Sequence, residues 1–384
     1  EPEMAGTEAD VAYVAGQAYA IRALCYLNLA TWFSRAPYNS LTGASRWNEP
    51  CVPVYTTGTS IDTGGQPRES LRTVYGRIDQ DIDRAIELLE KARETTLAEN
   101  NKSHINLYVA LGIKSRACLA EGDWDGAFKA AKRVIDEGGY AVGTKSDLTG
   151  GMNSLDKQNV MWGAGIQVAD QAGGYAGFFT HMDNKEGAYA KSAPKLISKQ
   201  LYNRISATDI RRDWWDPSDK ESPYVSKKFS FANVASFLGD YIYMRVEEMY
   251  FTAAEAALRL DDLKSARELM NTVMAERDPG YSANNRSGTL LGATTTTWTG
   301  SFLENILTHR RIELWGEYGR LFDVRRLGQG IDRRTDDGFS EECISMMNRR
   351  NVNITKADTY DWVLTIPKAE LDANPNINEE DQNP

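Results

Sequence analysis

Histidine is scarce in this sequence. Its three copies, His104, His181 and His309, lie far apart, and none has a carboxylate at ligand spacing. That argues against a histidine metal centre or a histidine-based catalytic pair, so no metal site and no cofactor is expected. Cysteine is nearly as rare: Cys25, Cys51, Cys118 and Cys343 form no close pair and no CxxC. Cys25 and Cys118 fall inside apolar helical patterns and read as small buried hydrophobes. A Cys51–Cys343 bridge stays open, and so does the redox compartment. No run of apolar residues reaches bilayer length. The 44 basic and 54 acidic residues are mixed along the chain, for a net charge of −10. A nucleic-acid partner is therefore not expected, since phosphate binding needs concentrated positive charge. No GxSxG, HExxH, Walker loop or zinc spacing occurs, and Gly163-x-Gly165 has no third glycine behind it. The residues call for no enzyme.

What is present is helical periodicity. From about Ala9 to Phe33, the residues Val14, Ala18, Ile21, Cys25, Leu29 and Trp32 recur at three- and four-residue steps and predict one apolar stripe. Pro37 ends that helix. After a polar loop, Leu71, Val74, Tyr75, Ile78, Ile82, Ala85 and Leu89 form a second apolar face. Asp79, Asp81 and Asp83 decorate the remainder of that helix.

The next blocks repeat a design. Leu107 to Ala120 predicts a helix, Gly122-Asp123-Trp124 a turn, and Asp125 to Asp136 a second helix. Arg245 to Leu260, Asp261-Asp262-Leu263 and Lys264 to Ala275 do the same. Ala127 and Ala266 take equivalent places, where a helix crossing needs a small side chain. This is the tetratricopeptide pattern, in which helix pairs bury their faces by stacking on neighbours. Residues 9–139 and 240–328 are therefore expected to hold helix pairs. Residues 140–239 predict an irregular lobe with short strands, including Asn159–Gln167, and one helix near Ser192–Tyr202. Residues 329–384 predict an extended tail with a strand at Trp362–Ile366. The fold class expected is mainly α: a tetratricopeptide-like helical superhelix carrying a loop-rich lobe, as one unit over residues 1–384.

The carboxylates at Asp79/Asp81/Asp83, Asp123/Asp125 and Glu247/Glu248 read as helix faces and helix starts, not as a catalytic pair. Arg310-Arg311-x-Glu313 with Glu317, Arg320, Asp323, Arg325 and Arg326 reads as an internal ion-pair lattice and not as an anion site, because a buried Arg must be paired. The positive signal is aromatic: nine Trp and eighteen Tyr, several in polar or Gly-rich surroundings. A flat ring beside an amide or carboxylate suits a sugar, which has an apolar face and a polar rim. The candidate ligand platforms are Trp47 with Asn48, Tyr175, Trp214, Trp215, Tyr224 and Trp298.

These pieces resemble the SusD/RagB family of nutrient-binding outer-membrane lipoproteins. The carrying segments run in the family's order. They are Arg22-Ala23-Leu24 with Pro37, Gly122-Asp123-Trp124-x-x-Ala127, Asp209-x-Arg211-Arg212, Arg245-x-x-Glu248-x-Tyr250, Arg310-Arg311-x-Glu313-Leu314 through Asp323-x-Arg325-Arg326, and Ile366-Pro367 with Asn374-Pro375. In Glu317-Tyr318-Gly319-Arg320 the glycine is shifted by one from the family's usual place. The resemblance implies a surface-exposed binding subunit seated on a SusC-like TonB-dependent transporter in the outer membrane. Its ligand would be a glycan, with a peptide as the alternative, and the repeat face would hold the transporter. It also implies a lipid-bearing N-terminal region that this chain, opening at Glu1, does not include. A plain tetratricopeptide docking adaptor is the competing expectation.

Overall fold

The computed structural model describes residues 6–60, 62–95, 97, 101–169, 176–332 and 359–384. Helix α1 (Glu8–Phe33) starts at Thr7, whose hydroxyl accepts from Asp10 N–H while the Asp10 carboxylate accepts from Thr7 N–H. That reciprocal cap satisfies two donors the helix cannot pair internally. Ser70 caps α2 (Leu71–Lys91), and Asn106 caps α3 (Leu107–Glu121). Gly122, at φ +76°, ends α3 in the left-handed region, and Asp123 then caps α4 (Trp124–Glu137).

The packing of α1 corrects the predicted stripe. Val14, Ile21, Leu29 and Trp32 are 36–49 % exposed, and Ala18 and Cys25 are exposed as well. The buried face is instead Tyr13, Gly16, Ala20, Ala23, Leu27 and Ala30. Apolar residues occupy both faces of α1, so periodicity could not choose between them. The small residues won because they let α2 approach: a Cβ on Gly16 would lie 2.8 Å from Leu89 Cγ. A close approach lets the large residues of α2 fill the seam at native packing density.

The two predicted helix pairs form as expected. Helices α9 (Val246–Arg259) and α10 (Leu263–Ala275) join at Asp262, which caps α10, and Ala127 and Ala266 are fully buried. Helix α4 packs directly on α9, so the two pairs stack across the 138–245 insertion. Helix α11 (Phe302–Glu313) packs on α9 and is followed by α12 (Arg320–Leu327).

The insertion holds short elements: α5 (Lys145–Thr149), β1 (Val160–Ala164), α6 (Phe178–Met182), α7 (Ala188–Ser192), α8 (Lys199–Tyr202), β2 (Trp215–Asp216) and β3 (Val225–Ser226). The single helix expected near 192–202 is two pieces interrupted around Pro194. Strand β4 (Tyr241–Arg245) pairs antiparallel with β1 and leads straight into α9. The glycine in the middle of α3, costly in a helix interior, has a packing reason: a Cβ on Gly112 would collide with Met244 of β4. Beyond a 3-10 turn at Tyr360–Trp362, residues 363–367 run extended but join no ladder, so the expected strand is absent there. Leu364 N–H donates to Trp32 O, and Ile366 N–H to the Gln382 side chain.

Two apolar cores result. The larger runs through the helix pairs; the smaller joins Phe179, Ile197, Trp214, Trp215, Phe229 and Phe231 of the insertion to Ile312 of α11. Cys118 is buried and Cys25 is exposed, which corrects the reading of Cys25 as core. Cys343, and with it the Cys51–Cys343 question, lies outside the described residues.

Candidate binding site

Between the cores runs the predicted ion lattice, almost wholly sealed from water. The Glu313 carboxylate accepts from Arg277 (3.0 Å, twice), Arg245 (3.0 Å) and Arg211 (3.2 Å). Burial alone would raise its pKa, but the three guanidiniums outweigh burial and hold it well below the carboxylate range. Glu317 accepts from Arg245 at 2.8 Å and from Lys228 at 2.5 Å. Burial draws the Lys228 ammonium down to about 8 against the pull of Glu317. Glu247 and Glu248, read from sequence as helix-start charges, are buried and paired with Arg277 and Arg116. Asp81 is likewise buried, gripped by Arg22 at 2.6 and 2.7 Å. His309 lies within this lattice, where its Nδ1 sits 2.8 Å from Arg211 Nη2. Burial and Arg211 push its pKa well down, so the ring is neutral and Nδ1 accepts. The role is structural.

A cavity of about 470 Å³ opens beside this lattice, at the junction of α1, β1, β4 and the turn after α11. Its walls are aromatic: Trp162, Phe178, Phe229, Tyr241, Tyr243 and Tyr318. Trp162 of β1 meets Tyr243 of β4 edge to face at 5.0 Å, an arrangement the strand pairing fixes. Polar groups line one side. Tyr318 hydroxyl donates to Asn28 Oδ1 at 3.0 Å, and the Arg116 guanidinium lies 4.0 Å over the Tyr318 ring. Arg116 is neutralised by a two-pronged bond to Glu248 (2.8 and 2.7 Å). It also donates to Tyr243 O at 3.0 Å. The cavity therefore offers flat apolar faces and a fixed polar rim, with no unpaired charge on its Arg116 side.

The sequence-predicted platforms do not gather into one site. Trp214 and Trp215 are 2 % and 1 % exposed. Trp214 Nε1 donates to Leu148 O, and Lys228 lies 4.5 Å over the ring. Neither indole presents a face to a ligand, because the small core needs both. Trp47 is half-buried against the large core, edge-on to Tyr75, with Arg72 over its ring; Asn48 is exposed. Trp298 belongs to the other core and carries Arg204 over its ring at 4.0 Å. Tyr224, at φ +69° where non-glycine residues are strained, packs on Tyr202. Tyr175 lies outside the described residues. The aromatics of the cavity were missed, although Tyr241-Ile242-Tyr243 carries the period-two signal of a strand. What could not be read was its pairing with β1, which sets Trp162 beside it.

Comparison with known proteins agrees with this architecture. A search of the curated proteins gives no match. Among solved structures, a SusD-like carbohydrate-binding protein from Bacteroides vulgatus is similar over 98 % of this chain and 79 % of its own, at 27 % identity and a TM-score of 0.75. A SusD superfamily protein from Bacteroides thetaiotaomicron aligns over 100 % and 80 %, at 24 % identity and TM-score 0.76. Surface glycan-binding protein A from Bacteroides uniformis aligns over 98 % and 80 %, at 18 % identity and TM-score 0.64. The sequence profile of the SusD family matches residues 183–384, more than half the chain. With the helix pairs, the insertion between them and the lattice that joins the two cores, this match places the chain in the SusD family.

Proposed function

We propose that this protein is a non-catalytic, cell-surface binding protein that holds an oligosaccharide in the aromatic cavity and passes it to a SusC-like TonB-dependent transporter of the outer membrane. One observation carries the reading: the Trp162–Tyr243 pair and Tyr318 present ring faces beside a polar rim fixed by Asn28 and Arg116. Apolar rings contribute most when a ligand's apolar face lies on them, and the rim hydrogen bonds set orientation. Family membership and the carbohydrate-binding name of one structural neighbour point the same way. The transporter, the outer-membrane address and an N-terminal lipid belong to the proposal as consequences of the family.

Isothermal titration against a panel of oligosaccharides tests it. A bound member should lose about tenfold or more in affinity on Trp162→Ala, since aromatic contacts of this kind contribute about 1–3 kcal/mol. Unchanged affinity in a folded variant would remove the cavity from the proposal. A product detected on prolonged incubation with the bound glycan would overturn the non-catalytic part. Co-purification with a large outer-membrane barrel is expected, and a cytoplasmic partner in its place would favour a docking adaptor.

A further inference from the structure

A second and larger cavity, about 800 Å³, shares Gly316 with the aromatic one and is of different chemistry. Gly316 sits at φ +76°, and a Cβ there would come within 2.5 Å of Phe229 and 2.9 Å of Met182, so the wall between the two spaces is thin. Trp315 lines the second cavity, held on its other sides by Trp215 (6.0 Å, edge to face) and Phe229.

Arg320, the first residue of α12, also lines it. Asp323, the carboxylate whose charge acts on this arginine, is taken, as are the other carboxylates of the lattice beside it. Asp323 pairs with Arg310 (2.9 Å) and Arg326 (2.8 Å), Glu255 with Arg326, and Glu248 with Arg116. Arg320, expected from the sequence to join the lattice, is instead left, among the described residues, with no hydrogen bond and no ion pair of its own, because Arg310 and Arg326 already hold Asp323. Burial, with Arg326 and Arg310 nearby and only Asp323 opposing them, presses its pKa down to about 10, so the group is charged at neutral pH. A partly buried guanidinium without an anion is costly and calls for one.

A second orphan belongs to a residue of the same wall. Thr295 is 5 % exposed and its Oγ1 has no partner. Native proteins leave few buried hydroxyls unpaired. On the acidic side, Glu221 is exposed and Asp332 accepts from Thr296 at 3.2 Å.

We propose that this second cavity takes a carboxylate-bearing sugar residue: Arg320 pairs with the carboxylate, Thr295 Oγ1 meets a ring hydroxyl, and Trp315 supplies an apolar wall. The inference rests on the glycan reading above and narrows it to an acidic glycan. A planar carboxylate matches the guanidinium fork, and Ser222 on the same wall suits a polyol better than an apolar peptide side chain.

The test compares a uronate-containing oligosaccharide with its carboxyl-reduced, neutral counterpart by titration at low and high salt. The proteins are wild type, Arg320→Gln, Arg320→Lys, Thr295→Val and Trp162→Ala. The acidic oligomer should bind about tenfold tighter than the neutral one. Arg320→Gln should abolish that difference while leaving neutral binding intact, and Arg320→Lys should retain part of it. Thr295→Val should weaken acidic binding several-fold, and it carries the test if Arg320→Gln does not fold. An acidic preference that survives Arg320→Gln, or that is lost only in Trp162→Ala, overturns the assignment to this cavity. Tighter binding of a peptide with a free carboxylate overturns the sugar. If both oligomers bind alike and Trp162→Ala weakens both, the inference falls and the glycan reading stands. If neither binds, both fall.

Discussion

Glu121 closes α3 beside Asp79 and Asp123, with its Oε1 buried and unpartnered. Burial first, then Asp79 and Asp123, raise its pKa from 4.5 to about 8, and Lys114 only partly opposes them. Burial likewise raises Asp79 to about 6. The sign follows from linkage. Between the unfolded value and the folded one, the native protein holds protons that the unfolded chain has released, so stability falls as pH rises. The full contribution is present below about pH 4.5 and is gone above about pH 8. Thermal melts from pH 5 to 8.5 should show this decline, and Glu121→Gln should flatten it and raise the melting temperature at the alkaline end. An identical pH profile in the variant would mean that Glu121 ionises normally in the fold.

At the level of elements, the helix pairs depend on small residues at their crossings. Ala127 and Ala266 have no exposed surface, so Ala127→Leu or Ala266→Leu should destabilise by about 1–3 kcal/mol through overpacking. Helix α1 gives a sharper contrast. Ala23→Leu, on its buried face, should cost a similar amount, whereas Ile21→Ala, on the stripe that periodicity favoured, should stay within about 0.5 kcal/mol. Urea denaturation decides between the faces, and the reverse order of effects would show that the stripe is the packed one. The sequence resolved α2, where apolar and charged faces are distinct, and failed on α1, where both faces are apolar.

For the whole molecule, Glu313 is the keystone, because three arginines from the 3-10 turn after Asp209, from β4 and from the end of α10 meet on one carboxylate of α11. Glu313→Gln leaves those charges without their shared anion. It should destabilise by about 3–5 kcal/mol, the range for breaking a buried pair on one side. Denaturant unfolding measures it, and a loss below about 1 kcal/mol would show the lattice to be dispensable. Helix α11 also supplies Ile312 to the small core and Phe302, Leu303 and Ile306 to the large one, so the same variant should loosen both.

Local chemistry along the chain determines much of this protein. The turns at Gly122-Asp123-Trp124 and Asp261-Asp262-Leu263, small residues at Ala127 and Ala266, and the need of Arg310 for a partner are short-range rules, and each is legible from a few neighbouring letters. The binding surface is not. Trp214 and Trp215 looked like platforms because they stand in polar surroundings along the chain, yet in space both belong to the small core. Trp162 and Tyr243 are separated by most of the insertion and meet only through the β1–β4 ladder, which no local pattern encodes. The same holds for the unpaired Arg320. Its neighbours in sequence include Asp323, and only the tertiary arrangement shows that Arg310 and Arg326 have already claimed it.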